Sequence, residues 1–89
     1  MPLNELAVPE RVVGEREVRR AMARGLLRKI FVATDGDAKV FGDLLGKARS
    51  LGLETEEVDS KLKLGRACAI DRPAGVAGVL KVDSKPDGF

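Results

Sequence analysis

KIFVATDGDAKVFGDLLGKARSLGLETEEV, Lys29 to Val58, holds the order of segments on which the fold reading rests. It opens with KIFVA, Lys29 to Ala33, a short apolar run with β-branched and aromatic members that reads as a buried strand. TDGD then marks a turn at Gly36 and places Asp37 where a helix cap is needed. Behind that cap Val40, Phe41, Leu44, Leu45, Ala48 and Leu51 share one helical face, and Gly52 ends the helix. Leu53 to Val58 alternates apolar and polar residues for part of its length, as a half-buried strand does.

The same punctuation extends in both directions. Upstream, Val18, Ala21, Met22 and Leu26 follow the i, i+3, i+4, i+8 spacing of an amphipathic helix that starts at Glu15 and stops at Gly25. Arg11 to Val13 is a short strand, and Leu3 to Val8 a short helix that Pro9 terminates. Downstream, Ser60 caps a short helix that turns Leu64, Ala67 and Cys68 inward, and GVAGVLKV, Gly75 to Val82, is a last strand whose small residues permit close packing. The alternation αβαβαβαβ predicts an α/β protein, a sheet sandwiched between helices, with one domain over residues 1–82 and a mobile tail over 83–89.

Composition sets the class. Of 89 residues, 44% are hydrophobic and 34% charged, with only three aromatics, so the core is built from Val, Leu, Ile and Ala. A chain of this length has room for one core, burying somewhat over ~60% of its unfolded surface. Met1 to Glu10 lacks a basic start followed by an apolar run, and no segment approaches the ~20 apolar residues of a membrane span, so the expectation is a soluble, cytoplasmic protein with no membrane partner. There is one cysteine, Cys68, and no histidine, which removes a disulfide framework and the commonest metal ligand and general base. Cys68 reads as a small buried hydrophobe, and Asp35 and Asp37 as turn and cap residues, too few in oxygen ligands for a hard cation. The expectation is therefore a non-catalytic protein with no metal, no cofactor and no small-molecule substrate.

Charge is distributed unevenly along the chain. Residues 11–29 carry seven cations against two carboxylates, residues 35–59 carry seven carboxylates against three cations, and residues 60–72 carry four cations against one carboxylate. Two basic stretches flanking an acidic one either disperse over the surface or present one positive face to an anionic partner. Glu15 and Glu17 suit the first turn of a helix, where each contributes about 0.3–1 kcal/mol against the dipole; Arg16, Arg19 and Arg20 do not. Gly14, just before that turn, supplies either a positive φ or close approach to a ligand. In the second basic stretch Lys61, Lys63 and Arg66 lie on a helix, followed by a loop, Ile70, Asp71, Arg72, Pro73, in which Pro73 fixes φ and Ile70 is either core or a surface for a base.

Three motifs carry a resemblance. G-x-x-E-V-x-[KR]-A at Gly14 to Ala21, a strand ending in Ala-x-Asp at Ala33 to Asp35, and S-K-x-x-L-G-x-A-x-x-I-[DE] at Ser60 to Asp71 together resemble the kink-turn RNA-binding ribosomal protein family. That family includes the archaeal large-subunit protein "seven-Ae", small bacterial homologues, and relatives in box C/D ribonucleoproteins. The likeness covers roughly residues 12–80 and implies a three-layer α/β/α sandwich with a four-stranded mixed sheet. It also implies that Gly14, Glu15, Arg16 and Glu17 enter a kink-turn at its tandem sheared G·A pairs, with Glu17 accepting from a guanine edge and Arg20 donating to a guanine or a phosphate. By the same likeness, Ile70 to Pro73 would cover a splayed nucleotide, and Lys61 and Lys63 would meet phosphates, with Arg19 on the same helix start. The implied partner is a kink-turn or similar bent internal loop, with ribosomal RNA as one candidate. A protein-interaction module using the same basic face is the alternative. The chain departs from the family pattern in carrying Arg16 where archaeal members have Asn, Glu15 for a small hydroxyl residue, and Arg72 for an apolar one.

Overall fold

Each helix among the described residues follows a strand and is succeeded by a left-handed residue, and that repetition sets the architecture. The computed structural model describes residues 10–81. The elements are β1 Arg11–Val13, α1 Glu15–Ala23, β2 Leu27–Ala33, α2 Ala38–Ser50, β3 Glu54–Val58, α3 Lys61–Ala67 and β4 Val76–Leu80. The helix expected over Leu3 to Val8 and the tail expected over 83–89 lie outside the described residues.

Local chemistry explains the boundaries. Asp37 Oδ1 accepts from the Lys39 and Val40 amides at 2.8 and 3.3 Å, and Ser60 Oγ accepts from the Lys63 amide at 3.0 Å, satisfying helix-start donors that would otherwise be orphaned. At the other ends the three helices share one motif, in which a left-handed residue lets the next amide reach back five positions. Gly25 with φ +69° brings Leu26 N–H to the Ala21 carbonyl, Gly52 with φ +74° brings Leu53 N–H to Ala48, and Ala69 with φ +61° brings Ile70 N–H to Gly65. Only the last of these stops is made by a residue with a Cβ.

The four strands form one mixed sheet in the order β1-β4-β2-β3. β2 and β3 run parallel, pairing Lys29 with Glu54 through Ala33 with Val58, while β4 lies antiparallel between β1 and β2. Helices α1 and α2 cover one face, where Val18, Met22, Leu44 and Ala48 meet Ile30 and Val32. Helix α3 covers the other, where Leu64 and Cys68 meet Phe31, Ala77 and Val79. This is the three-layer α/β/α sandwich with a four-stranded mixed sheet. No helix among the described residues is long and apolar enough to cross a membrane.

Several boundaries differ from the sequence expectation. Strand β2 starts at Leu27 rather than Lys29, because a register shift between Leu27 and Lys29 lets Leu27 pair with Leu80. Leu26 consequently belongs to the stop after α1 and not to the helix. Leu51 is 58% exposed, since α2 ends at Ser50 and the cap turns Leu51 off the buried face. β3 begins at Glu54 and β4 at Val76, each one residue later than read from the sequence, and β4 ends at Leu80, two residues before the Val82 of that reading. Lys29, read as part of an apolar run, is 8% exposed, with its ammonium 3.1 Å from Glu56 and 4.8 Å from the centre of the Phe31 ring.

Candidate functional site

The strand directions bring three helix starts to one edge of the sheet. β1 and β2 both run antiparallel to β4, and β3 runs parallel to β2, so the carboxyl ends of β1, β2 and β3 and the amino end of β4 coincide. α1, α2 and α3 each leave from that edge, so the positive ends of their dipoles gather there, while the α2 and α3 starts have amides capped by side chains. A single residue, Gly14, joins β1 to α1. Its φ of +96° is required by the turn, whereas no atom crowds the position a Cβ would take.

Backbone hydrogen bonds then lock the loops of this edge together. The Gly14 amide donates to the Val76 carbonyl at 2.9 Å, the Ala33 amide to Gly75 at 2.9 Å, and the Ala74 amide to Lys61 at 3.0 Å. Asp35 Oδ1 accepts from the Lys61 amide at 2.9 Å, so this carboxylate caps α3 from the neighbouring loop. The loop from Ile70 to Pro73 folds back over α3, where buried Gly65 faces the Arg72 backbone; a Cβ at Gly65 would collide with the Arg72 carbonyl oxygen. The turn at Gly14 and the proline-stiffened loop thus converge on one rim, joined through Val76 and Gly75.

Where the three helix starts meet Gly75 and Val76 lies a cavity of about 190 Å³. Val32, Val40, Phe41 and Val76 give it an apolar floor, and Glu15, Asp37 and Lys61 line it with charge. Sequence reasoning assigned Phe41 to the helix core and Asp37 to capping alone. The available signal was position: Phe41 is one of three aromatics and sits in the first turn of α2, at the end of the molecule where the helix starts gather.

The nominated side chains fall into distinct environments. Arg16, Lys61, Asp71, Arg72 and Pro73 are exposed, and neither Arg16, Lys61 nor Arg72 makes an ion pair among the described residues. Glu17 and Arg20 are both about half exposed and stand 3.6 Å apart one turn along α1, a loose pair that leaves both heads open to a ligand. Lys63 bridges to Asp59 at 3.1 Å with both groups well exposed, an interaction readily exchanged. Ile70 is half-buried against the core under α3, so it supports the loop from beneath. Arg19 is held most tightly: Nε meets Glu15 at 2.8 Å and Nη1 meets Asp43 of α2 at 2.6 Å. The hydrogen bonds that Arg19 donates to Glu15 and then to Asp43 raise its pKa above the ordinary value, and the bond from Arg19 holds the Asp43 carboxyl below its own. Burial pushes the Cys68 thiol up. Among the described residues no three His, Cys, Asp or Glu side chains gather as a metal set.

Comparison with known proteins gives a consistent picture. A protein of Geobacillus sp. strain WCH70 named as an RNA-binding protein is 30% identical over 70 residues, spanning 79% of this chain and 85% of its own. RNA-binding protein YbxF of Geobacillus stearothermophilus is likewise 30% identical over 70 residues, with the same shares. No model of a known protein family matches the chain. Among solved structures, the 15.5kD RNA binding protein of Giardia lamblia superposes with a TM-score of 0.83 at 26% identity, covering 93% of this chain and 73% of that one. A Bacillus halodurans protein described as of unknown function shares the fold, with a TM-score of 0.79 at 24% identity over 91% of this chain and 85% of its own.

Proposed function

Because this chain belongs to the family of small bacterial RNA-binding proteins that includes YbxF of Geobacillus stearothermophilus, we propose that it binds RNA and recognises a kink-turn or similarly bent internal loop. The observation that carries the reading is that backbone hydrogen bonds tie the Gly14 turn and the loop before Gly75 to one rim, beside an apolar-floored cavity lined by Lys61, with Arg16, Lys61 and Arg72 exposed and making no ion pair among the described residues. Regular A-form RNA keeps its bases stacked and its major groove too narrow for side chains, so a rim with a cavity suits an RNA whose bases are splayed. Glu17 and Arg20 offer an acceptor and a donor within one helical turn, matched to a guanine edge that displays both. Phe41, Val40 and Val76 offer an apolar seat for an unstacked base, with Asp37 and Lys61 beside it. Lys61, Lys63 and Arg72 supply phosphate contacts, which set affinity and salt dependence without reading sequence.

The mechanism is a population shift. An RNA that fluctuates between extended and kinked forms meets both loops together only when kinked, so binding stabilises that form by its differential affinity. No bond is made or broken. Ribosomal RNA is one candidate target in the cell.

The test is titration of a kink-turn RNA, and of a variant lacking its G·A pairs, at two salt concentrations. Glu17→Ala should weaken binding to the kinked RNA by about 1–3 kcal/mol, whereas Lys61→Ala should lower the salt slope. Equal losses for Glu17→Ala on kinked RNA and on plain duplex would refute the specificity. Binding of an acidic protein in place of RNA by the same rim would favour an interaction module.

A further inference from the structure

Glu15 raises an electrostatic difficulty that Arg19 resolves. This carboxylate occupies the first position of α1, immediately after the Gly14 turn, and lines the cavity at the rim. A free carboxylate there would face the phosphates of any bound RNA. It is not free: Arg19, one helical turn on, takes Glu15 Oε2 on Nε at 2.8 Å while its Nη1 takes Asp43 Oδ2 of α2 at 2.6 Å. Lys47 stands 4.0 Å from the same Asp43 oxygen. Two cations and two carboxylates therefore form a cluster of zero net charge along the seam between α1 and α2. The planar guanidinium is what allows one side chain to hold both carboxylates at once.

The placement matters as much as the neutralisation. At about 100° per residue, Glu15 and Arg19 project on the side of α1 that faces α2, while Arg16 and Arg20 project roughly a quarter-turn away. Binding of the Glu15 head by Arg19 compensates its charge where it lines the rim and leaves Arg16, Glu17 and Arg20 to meet a ligand.

We propose that Arg19 is a positioning residue for RNA binding and not an RNA contact: held by Asp43, it fixes the Glu15 head at the rim and cancels its charge. This rests on the RNA-binding reading above. The experiment is a double-mutant cycle on affinity for a fluorescently labelled kink-turn RNA, with circular dichroism to confirm that each variant is folded. Arg19→Met should weaken binding about fivefold, the order expected for one uncompensated carboxylate near phosphates in a solvated interface. Adding Glu15→Gln to Arg19→Met should bring affinity to within about twofold of the Glu15→Gln single variant, so that the Arg19 effect vanishes when the carboxylate is gone. Adding Glu54→Gln to Arg19→Met restores the same net charge from the opposite edge of the sheet and should not rescue.

Loss without rescue by Glu15→Gln would mean that Arg19 touches the RNA, and rescue by Glu54→Gln as well would mean that only overall charge matters; either overturns the inference. A full-strength Arg19→Met overturns it too. Wild-type protein with no preference for kinked RNA removes the RNA reading and this inference together, so failure of the cycle in a wild type that does bind is separately recognisable.

Discussion

Exchanging a helical glycine for alanine should have opposite signs at two positions of this protein, and the structure says why. Gly65 lies buried in α3, and an added methyl would be driven into the Arg72 carbonyl oxygen, 3.1 Å from the carbonyl carbon and 3.3 Å from Pro73 Cα. These are backbone atoms, so no rotamer change makes room, and the loop must lift from the helix. Overpacking of this kind costs about 1–3 kcal/mol. Loss of the Ala74 to Lys61 backbone hydrogen bond, 3.0 Å long, adds about 1 kcal/mol. Alanine's better helix propensity returns about 1 kcal/mol. The net loss for Gly65→Ala is therefore about 1–3 kcal/mol, a fall in Tm on the order of 10 °C for a domain of this size. Gly46 in the exposed middle of α2 has nothing within 4 Å of the same methyl, so Gly46→Ala should gain about 0.5–1 kcal/mol. Because the chain has no Trp or Tyr, thermal and urea unfolding are followed by circular dichroism. Stability changing in the same direction for both variants would refute the packing argument. Gly65→Ala should also weaken RNA binding, since Arg72 and Pro73 move with the displaced loop.

Two further outcomes follow from single side chains. Asp43 has its folded-state pKa depressed by Arg19, so its contribution is complete above the pH at which an unfolded aspartate titrates and is lost as pH falls through the lower folded value. Asp43→Asn should therefore lower stability near neutral pH and flatten the acid side of a stability-against-pH profile measured by urea denaturation; an unchanged acid side would show that the ion pair does not act. Ala69 holds φ +61° at the end of α3, where the other two helices use glycine. Ala69→Gly should raise stability by about 0.5–1 kcal/mol, as the relief of left-handed strain outweighs the greater freedom of the unfolded chain, and an unchanged urea midpoint would argue otherwise.

How much of this was legible in advance depends on whether the physics is local. Asp37 and Ser60 were readable as caps, and Gly25 and Gly52 as helix stops, because capping and left-handed turns involve residues a few positions apart. The apolar spacing of Val18, Ala21 and Met22 gave the buried side of α1 for the same reason. Leu51 was misplaced because one residue beyond a helix end the 3.6-residue period no longer governs direction. The reach of β2 back to Leu27 was hidden because it depends on a partner in β4.

The site divides along the same line. The motifs around Gly14 and Ser60 were enough to nominate Gly14, Glu17, Arg20, Lys61 and the loop from Ile70 to Pro73. That the Gly14 turn, Lys61 and the loop before Gly75 lie side by side was decided by β4, which enters the sheet antiparallel between β1 and β2 and so carries Gly75 and Val76 back beside Ala33 and Gly14. The roles of Phe41 at the cavity and of Arg19 between Glu15 and Asp43 also arose only on folding. Sequence alone determined which segments form and where the helices are capped and stopped, since propensity, periodicity and capping act within a turn or two of chain. Tertiary structure decided which charges remain free and which are paired, since a side chain's electrostatic partner is set by whatever the packed sheet places across from it.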